Sequence, residues 1–241
     1  MNFSEIVHHR RSVRNYDENK EIDPEIVKEC LQLATLAPNS SNMQLWEFYQ
    51  ITDRTLLSKL SRACLDQGAA STAKQMVVFV TRQDLFRNHA AKMLKLETDN
   101  VLQNSPENRH SHRIRRWKIY YRIVMPLLYS GFLGIFGLLR KVVVNLIWIF
   151  RPITLQVSES DTRIVVHKTC ALAAQTFMLA MTEKGYDTCP MEGLDSRRVK
   201  NILNLPEGAE INMIVSCGIR TERGVWGERK RLPFEEVYHR K

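Results

Sequence analysis

At 241 residues, 44% of them hydrophobic, the chain has material for one substantial core, and we expect a single unit over 1–241 carrying an insertion at about 88–160. Its five cysteines are odd in number and scattered, with no C-x-x-C pair and no metal-ligand spacing, which argues against a disulfide framework and fits reduced thiols in a cytoplasmic protein. The formal charge of +9 invites a nucleic-acid reading, but 109–151 holds nine Lys or Arg and no acidic residue, the remainder balances at 26 basic against 26 acidic, and no aromatic-interleaved platform accompanies the charge, so we expect no nucleic-acid partner.

Met1 leads straight into a polar segment, and we expect neither a cleaved signal nor an N-terminal anchor. Phe3, Ile6 and Val7 stand at helical spacing over 2–9. Asp23-Pro24-Glu25 opens a second helix, with a capping residue ahead of a proline at the first position, and Pro38 stops it after Ala37. A polar turn over 39–42 precedes the alternating strand Trp46–Ile51. A helix near 53–63 and a fully buried strand over 76–80 follow. Residues 162–184 predict a long helix, Ala- and Met-rich and apolar nearly all round, ended by Gly185. A short helix after Asp195, the strand Ile211–Cys217 and a basic tail complete the chain.

Between these parts, six cations from Arg109 to Arg122 lead into an apolar run, Val124 to Leu139. Arg140-Lys141 breaks it, and it resumes as Val142 to Phe150. A spanning helix needs roughly 20 uninterrupted apolar residues, so neither piece predicts a membrane crossing. Basic residues beside an apolar stretch instead fit two readings: a segment lying on an anionic membrane, and a buried lid or interface layer. Gly131, Gly134 and Gly137 mark either close helix packing or bends.

Three arginines and a serine within Arg10-Arg11-Ser12-Val13-Arg14 suit a phosphate, because guanidinium forks give bidentate charge-assisted bonds and the hydroxyl adds a neutral donor. A basic run alone is more often a solvated face. Three strings taken together decide the matter: Arg10-Arg11-Ser12-Val13-Arg14-Asn15-Tyr16, then Ala37-Pro38-Asn39-Ser40-Ser41-Asn42-Met43-Gln44-Leu45-Trp46, then Pro190-Met191-Glu192-Gly193. In this order they resemble the signatures of the nitroreductase family, over roughly 1–85 and 160–241.

The resemblance implies an α+β nitroreductase-like fold, with a central, mainly antiparallel sheet flanked by helices, in an intertwined homodimer. It implies FMN as cofactor and NADH or NADPH as electron donor. Arg10, Arg11 and Ser12 would take the FMN phosphate and Arg14 the ring edge. Pro38, Asn39, Ser40, Asn42 and Gln44 would reach FMN across the dimer interface. Pro190, Met191, Glu192 and Gly193 would lie along the ring, with the amides of Glu192 and Gly193 toward flavin N5. Arg229 and Arg231 would complete the phosphate site. Asp66 and Gln67 fall near the flavin pyrimidine, and Gln67 is the choice between them.

The implied reaction passes hydride through the flavin to a small-molecule acceptor such as a nitroaromatic, quinone or activated alkene, with no catalytic side chain and no metal. A non-catalytic flavin-sequestering protein, a reductive dehalogenase and a flavin-cleaving enzyme are the alternatives on the same scaffold. Two departures stand out. Leu45 replaces a proline common in the family, and the basic, apolar insertion replaces the usual active-site cover. Cys189, ahead of the third string, is either redox active or a small buried residue. His110 and His112 lack a third ligand. The insertion also allows peripheral contact with the inner face of a membrane through 109–151.

Overall fold

A computed structural model describes residues 1–241. Its first helix, α1 (Phe3–His9), starts at Asn2, whose side chain accepts from the Glu5 amide while the Glu5 carboxylate caps the Asn2 amide. The second, α2 (Pro24–Ala34), is capped by Asp23 and has proline in its first turn. It stops three residues before the predicted end. Leu36 and Ala37 donate to Leu33 and Ala34, tightening the last turn before Pro38.

Strand β1 (Trp46–Ile51), helices α3 (Arg54–Ala63) and α4 (Gly68–Ser71) and strand β2 (Gln75–Thr81) follow. Five helical pieces occupy the middle of the chain: α5 (Phe86–Asn104), α6 (His110–Ile119), a wide π-type turn (Tyr120–Val124), α7 (Met125–Tyr129) and α8 (Ile135–Trp148). The long α9 (Glu159–Glu183), strand β3 (Asp187–Met191), α10 (Ser196–Ile202), β4 (Glu210–Gly218) and a last turn, α11 (Phe234–Val237), end the order.

The four strands make one antiparallel sheet in the order β1–β2–β4–β3. β2 is buried along its whole length, and its alternation feeds two cores. Val77 and Phe79 face α2 and α9, where they meet Cys170, Ala173, Ala174 and Phe177. Met76, Val78 and Val80 face α3, α4 and α10, with Leu60, Ala69 and Val199. Each of the Val, Leu, Phe and Met side chains so removed from water contributes about 1.5–3 kcal/mol gross. A third cluster joins α5, the wide turn and α7 to Met43, Leu45 and Val166. Leu45, in the place of the expected proline, is one of its buried members.

The long helix begins at Glu159, earlier than predicted, because Ser158 and Asp161 form a capping box. It ends as predicted at Gly185, which sits at φ +79° while Gly185 and Tyr186 donate to Thr182 and Met181. By length and composition α9 could cross a membrane, yet it forms one wall of the first core. Its burial is one-sided, with Ile164 and Leu172 exposed.

One strand was not predicted, and one sequence expectation is corrected. Residues 187–191, which do not alternate, form an edge strand. β4 supplies the ladder, Asp187 finds Arg220, and Pro190 is tolerated at a sheet edge. The apolar run that starts at Val124 breaks at 130–134 rather than at Arg140-Lys141, and α8 runs straight through that basic pair. Arg140 is buried and donates to the carbonyls of Val157, Leu127 and Ser130, each at 2.7 Å. Two of these carbonyls close α7, where a cation is favoured.

The glycines of this stretch have separate causes. Gly134 sits at φ +81° in the turn into α8. At Gly137 a Cβ would stand 2.8 Å from the Glu159 nitrogen, so the glycine lets α8 lie against the start of α9.

Candidate functional site

The first string is laid down beside β3. The Val13 amide donates to the Thr188 carbonyl at 3.1 Å, pairing Ser12 with Thr188. The tail then folds back over it. The Arg14 amide donates to the Gly224 carbonyl at 2.7 Å, the Thr221 amide to the Asn15 carbonyl at 3.2 Å, and a Cβ on Gly224 would stand 2.6 Å from that same carbonyl. Glycine at 224 is what allows the two ends of the chain to close on each other.

That closure makes a cleft of about 290 Å³ lined by Arg10, Arg11, Ser12, Arg14, Trp226, Arg229, Lys230 and Arg231, among others. Arg229 donates to the carbonyls of Val7, His8 and Arg10, and Arg11 to that of Gly227, so the tail cations also hold the first string in shape. Burial, then the nearby Arg229 and Arg231, pushes the Arg10 guanidinium below its ordinary value. A cluster whose charges destabilise one another, set in a half-buried cleft, has the chemistry to take an anion with several oxygens, such as a phosphate ester. Only Glu228 contributes an acidic side chain to its lining.

Trp226 was not singled out in the sequence. The Arg14 guanidinium lies 4.7 Å from its ring centroid, so the indole fixes the arginine by a cation–π contact. A lone aromatic between Gly224 and Gly227 in a basic tail was the available signal.

The third string starts at the end of β3, where Pro190 and Met191 pair with β4 and Glu192 and Gly193 leave the sheet. The amides of Glu192 and Gly193 make no hydrogen bond within the chain. Gln67 is brought to the same place. Its side-chain amide donates to the Gly193 carbonyl at 2.8 Å and to Cys64 at 2.9 Å. Asp66 turns instead to the Ser61 hydroxyl. Leu65 and Asp66 have φ of +60° and +48°, a left-handed bend that aims Gln67 at the string.

Pro38, Asn39, Ser40, Asn42 and Gln44 do not line the arginine cleft of their own chain. Their segment is held by strain and side-chain bonds: Ser41, Asn42 and Gln44 all have positive φ, and the Gln44 amide donates to Asn39 Oδ1 at 2.9 Å. Pro38 instead borders an apolar surface groove with Phe3, Leu33 and Leu36. Ser41 and Asn42 border a larger cavity of about 690 Å³, walled by Val101, Arg113, Arg116, Trp117, Tyr120 and Tyr121. The Tyr120 hydroxyl bonds Ser41 Oγ, and the Tyr121 hydroxyl donates to the Ser41 carbonyl.

Cys189 is the small buried residue of the two readings. It is almost wholly buried, and burial pushes its thiol up despite Arg14 and Arg10 nearby. His110 uses Nε2 on the Ser105 carbonyl.

Comparisons with known proteins place this geometry. The Nitroreductase family matches residues 7–219. The candidate NAD(P)H nitroreductase MhqN of Bacillus subtilis is 23% identical over 216 residues, 90% of this chain and 87% of its own length. A protein of Exiguobacterium sibiricum solved in complex with FMN superposes with a TM-score of 0.71 at 22% identity, covering 100% of this chain and 98% of that one. The nitroreductase family protein of Streptococcus pneumoniae superposes with a TM-score of 0.68 at 19% identity, covering 99% and 100%. The architecture is thus the nitroreductase fold, and the chain belongs to the Nitroreductase family.

Proposed function

We propose that this chain is an FMN-dependent oxidoreductase that takes hydride from NADH or NADPH and delivers it to a small organic acceptor such as a quinone, nitroaromatic or activated alkene. One observation carries the reading. The two ends of the chain bring Arg10, Arg11, Ser12, Arg229 and Arg231 into the region of a single cleft, and the first string runs beside the strand that ends in the free amides of Glu192 and Gly193.

The donor chemistry fits FMN. The guanidinium cluster and Ser12 suit its phosphate, Arg14 suits the electron-rich ring edge, and the two amides suit a ring nitrogen. When bound, the flavin supplies the atom that accepts and gives hydride. The chain's own residues bind and orient. Trp226 holds the Arg14 charge in place, and Gln67 fixes the Gly193 carbonyl and so the turn that presents the amides. Pro38, Asn39, Ser40, Asn42 and Gln44 would serve the flavin of a second copy, making the working unit a homodimer. The cavity beside Ser41, with Trp117, Tyr120 and two arginines, suits a planar acceptor bearing oxygen atoms.

The absorption spectrum of the purified protein tests this, followed by anaerobic addition of NADH or NADPH and then a quinone. A yellow protein bleached by one nicotinamide and recoloured by the quinone is expected. A colourless protein that takes up no FMN sinks the reading. A yellow protein that no nicotinamide bleaches would make it a flavin-sequestering one.

A further inference from the structure

Twelve large apolar side chains between Phe132 and Phe150 are exposed, including Leu133 and Phe150 at 86%, Ile149 at 67% and Leu138 at 65%. Along α8 only Gly137, Arg140 and Val144 are buried, a single stripe at positions i, i+3 and i+7. A helix seated on protein shows one apolar stripe and a polar back, whereas this one is apolar on the sides that face away from the body. Soluble monomers rarely expose contiguous apolar patches above a few hundred Å².

The helix is also firmly mounted. Arg140 ties it to three backbone carbonyls, and the Glu159 carboxylate accepts from the amides of Phe132, Gly134 and Gly137 at its start. Its 14 residues measure about 21 Å, short of the ~30 Å hydrocarbon core, so it cannot span. The segment that carries it is basic throughout: Arg109, Arg115, Arg116, Lys118, Arg122, Lys141 and Arg151 are exposed, and 109–151 contains no Asp or Glu. The acids that meet α8 come from the start of α9, where the backbone amides of 132–137 bind Glu159 and Lys141 faces Asp161.

We propose that α8 and its flanking residues lie in the interfacial region of a membrane containing anionic lipid, which the cations of α6 and the wide turn attract. The charge decides between possible occupants of this surface. A second copy would bring the same positive charge against it, while an anionic lipid surface complements it. Apolar burial then supplies the adhesion and the cations the preference for anionic headgroups, at about fivefold in partition per residue near the surface.

Flotation of the full-length protein with phosphatidylcholine vesicles, with and without phosphatidylglycerol, tests the proposal. Binding only to the phosphatidylglycerol vesicles, weakened by salt and accompanied by a blue shift of tryptophan emission from Trp148, is expected. A combined Arg115→Gln, Lys118→Gln and Arg122→Gln variant should bind about 100-fold more weakly. Leu138→Ser with Leu146→Ser and Ile149→Ser should not bind. All six positions are exposed, and an unchanged far-ultraviolet spectrum and melting curve verify that the variants fold. No flotation overturns the proposal, as does equal, salt-insensitive binding to both vesicles. So does a serine variant whose only change is a smaller oligomer, because a second copy would then cover the helix. Flotation requires neither nicotinamide nor acceptor, so its failure and the failure of the flavin reading are separately visible.

Discussion

The hydroxyl of Tyr120 lies 2.7 Å from Oγ of Ser41 and joins the wide turn after α6 to the strained 39–44 segment. Both residues border the larger cavity. Tyr120→Phe removes one part-buried hydrogen bond, about 1 kcal/mol, and should lower Tm by roughly 2–4 °C. With the flavin reading, the KM for a quinone acceptor should rise while bound FMN stays constant. Calorimetry and steady-state kinetics measure both, and loss of flavin with an unchanged KM would assign the pair to the cofactor instead.

Arg10 sits in a half-buried cleft with Arg229 and Arg231, and its guanidinium is destabilised there until a counter-charge arrives. Arg10→Ala should therefore weaken FMN roughly 10- to 100-fold, about 1.5–3 kcal/mol for charged hydrogen bonds, and leave riboflavin, which has no phosphate, unaffected. Fluorescence titration with the two flavins distinguishes a phosphate site from a general loss of structure.

Gly137→Ala sets helix propensity against packing. Alanine is favoured by about 1 kcal/mol inside a helix, but its methyl would meet the backbone of Glu159 at 2.8 Å and of Ser158 at 3.2 Å. Neither backbone group swings aside, so packing wins, with a net loss of roughly 1–3 kcal/mol. Hydrogen exchange should accelerate across 131–151 and leave β2 and β4 protected. Uniform loss of protection would mean that α8 is part of the central cooperative unit.

Acid should loosen the same helix. The Phe132 amide first, then those of Gly134 and Gly137, hold the Glu159 carboxyl below its ordinary value of 4.5. Its folded pKa is lower than its unfolded one, so the stabilisation is complete above the ordinary value and erodes as pH falls through the lowered one. Protection of α8 amides should drop over that acidic window in the native chain. In Glu159→Gln it should be weaker at neutral pH and nearly flat.

Much of the frame was legible because periodicity and punctuation agree. The continuous, β-branched Met76–Val80 run reads as a strand buried on both faces, and Gly185 reads as the end of a helix already announced by its apolar residues. The first and third strings were legible as strings, but not their closure with the tail, which depends on the close approach at Gly224. β3 escaped notice because Asp187, Thr188 and Pro190 carry no alternation, and their strand exists through β4 and Arg220. Arg140 misled for a related reason. Two adjacent charges look like a break until three backbone carbonyls from other segments are there to receive one of them.

All five thiols are buried, and burial pushes those of Cys30 and Cys64 up to about 11 and that of Cys170 to about 12. Cys189 and Cys217 are raised as well. At neutral pH the folded chain therefore offers almost no thiolate to a maleimide or a methanethiosulfonate. The wild-type protein is its own blank. A single cysteine placed at Leu138 or Ile149 would carry the only spin label on the molecule, and the accessibility of that label to oxygen and to a polar relaxer would report how deep the helix sits.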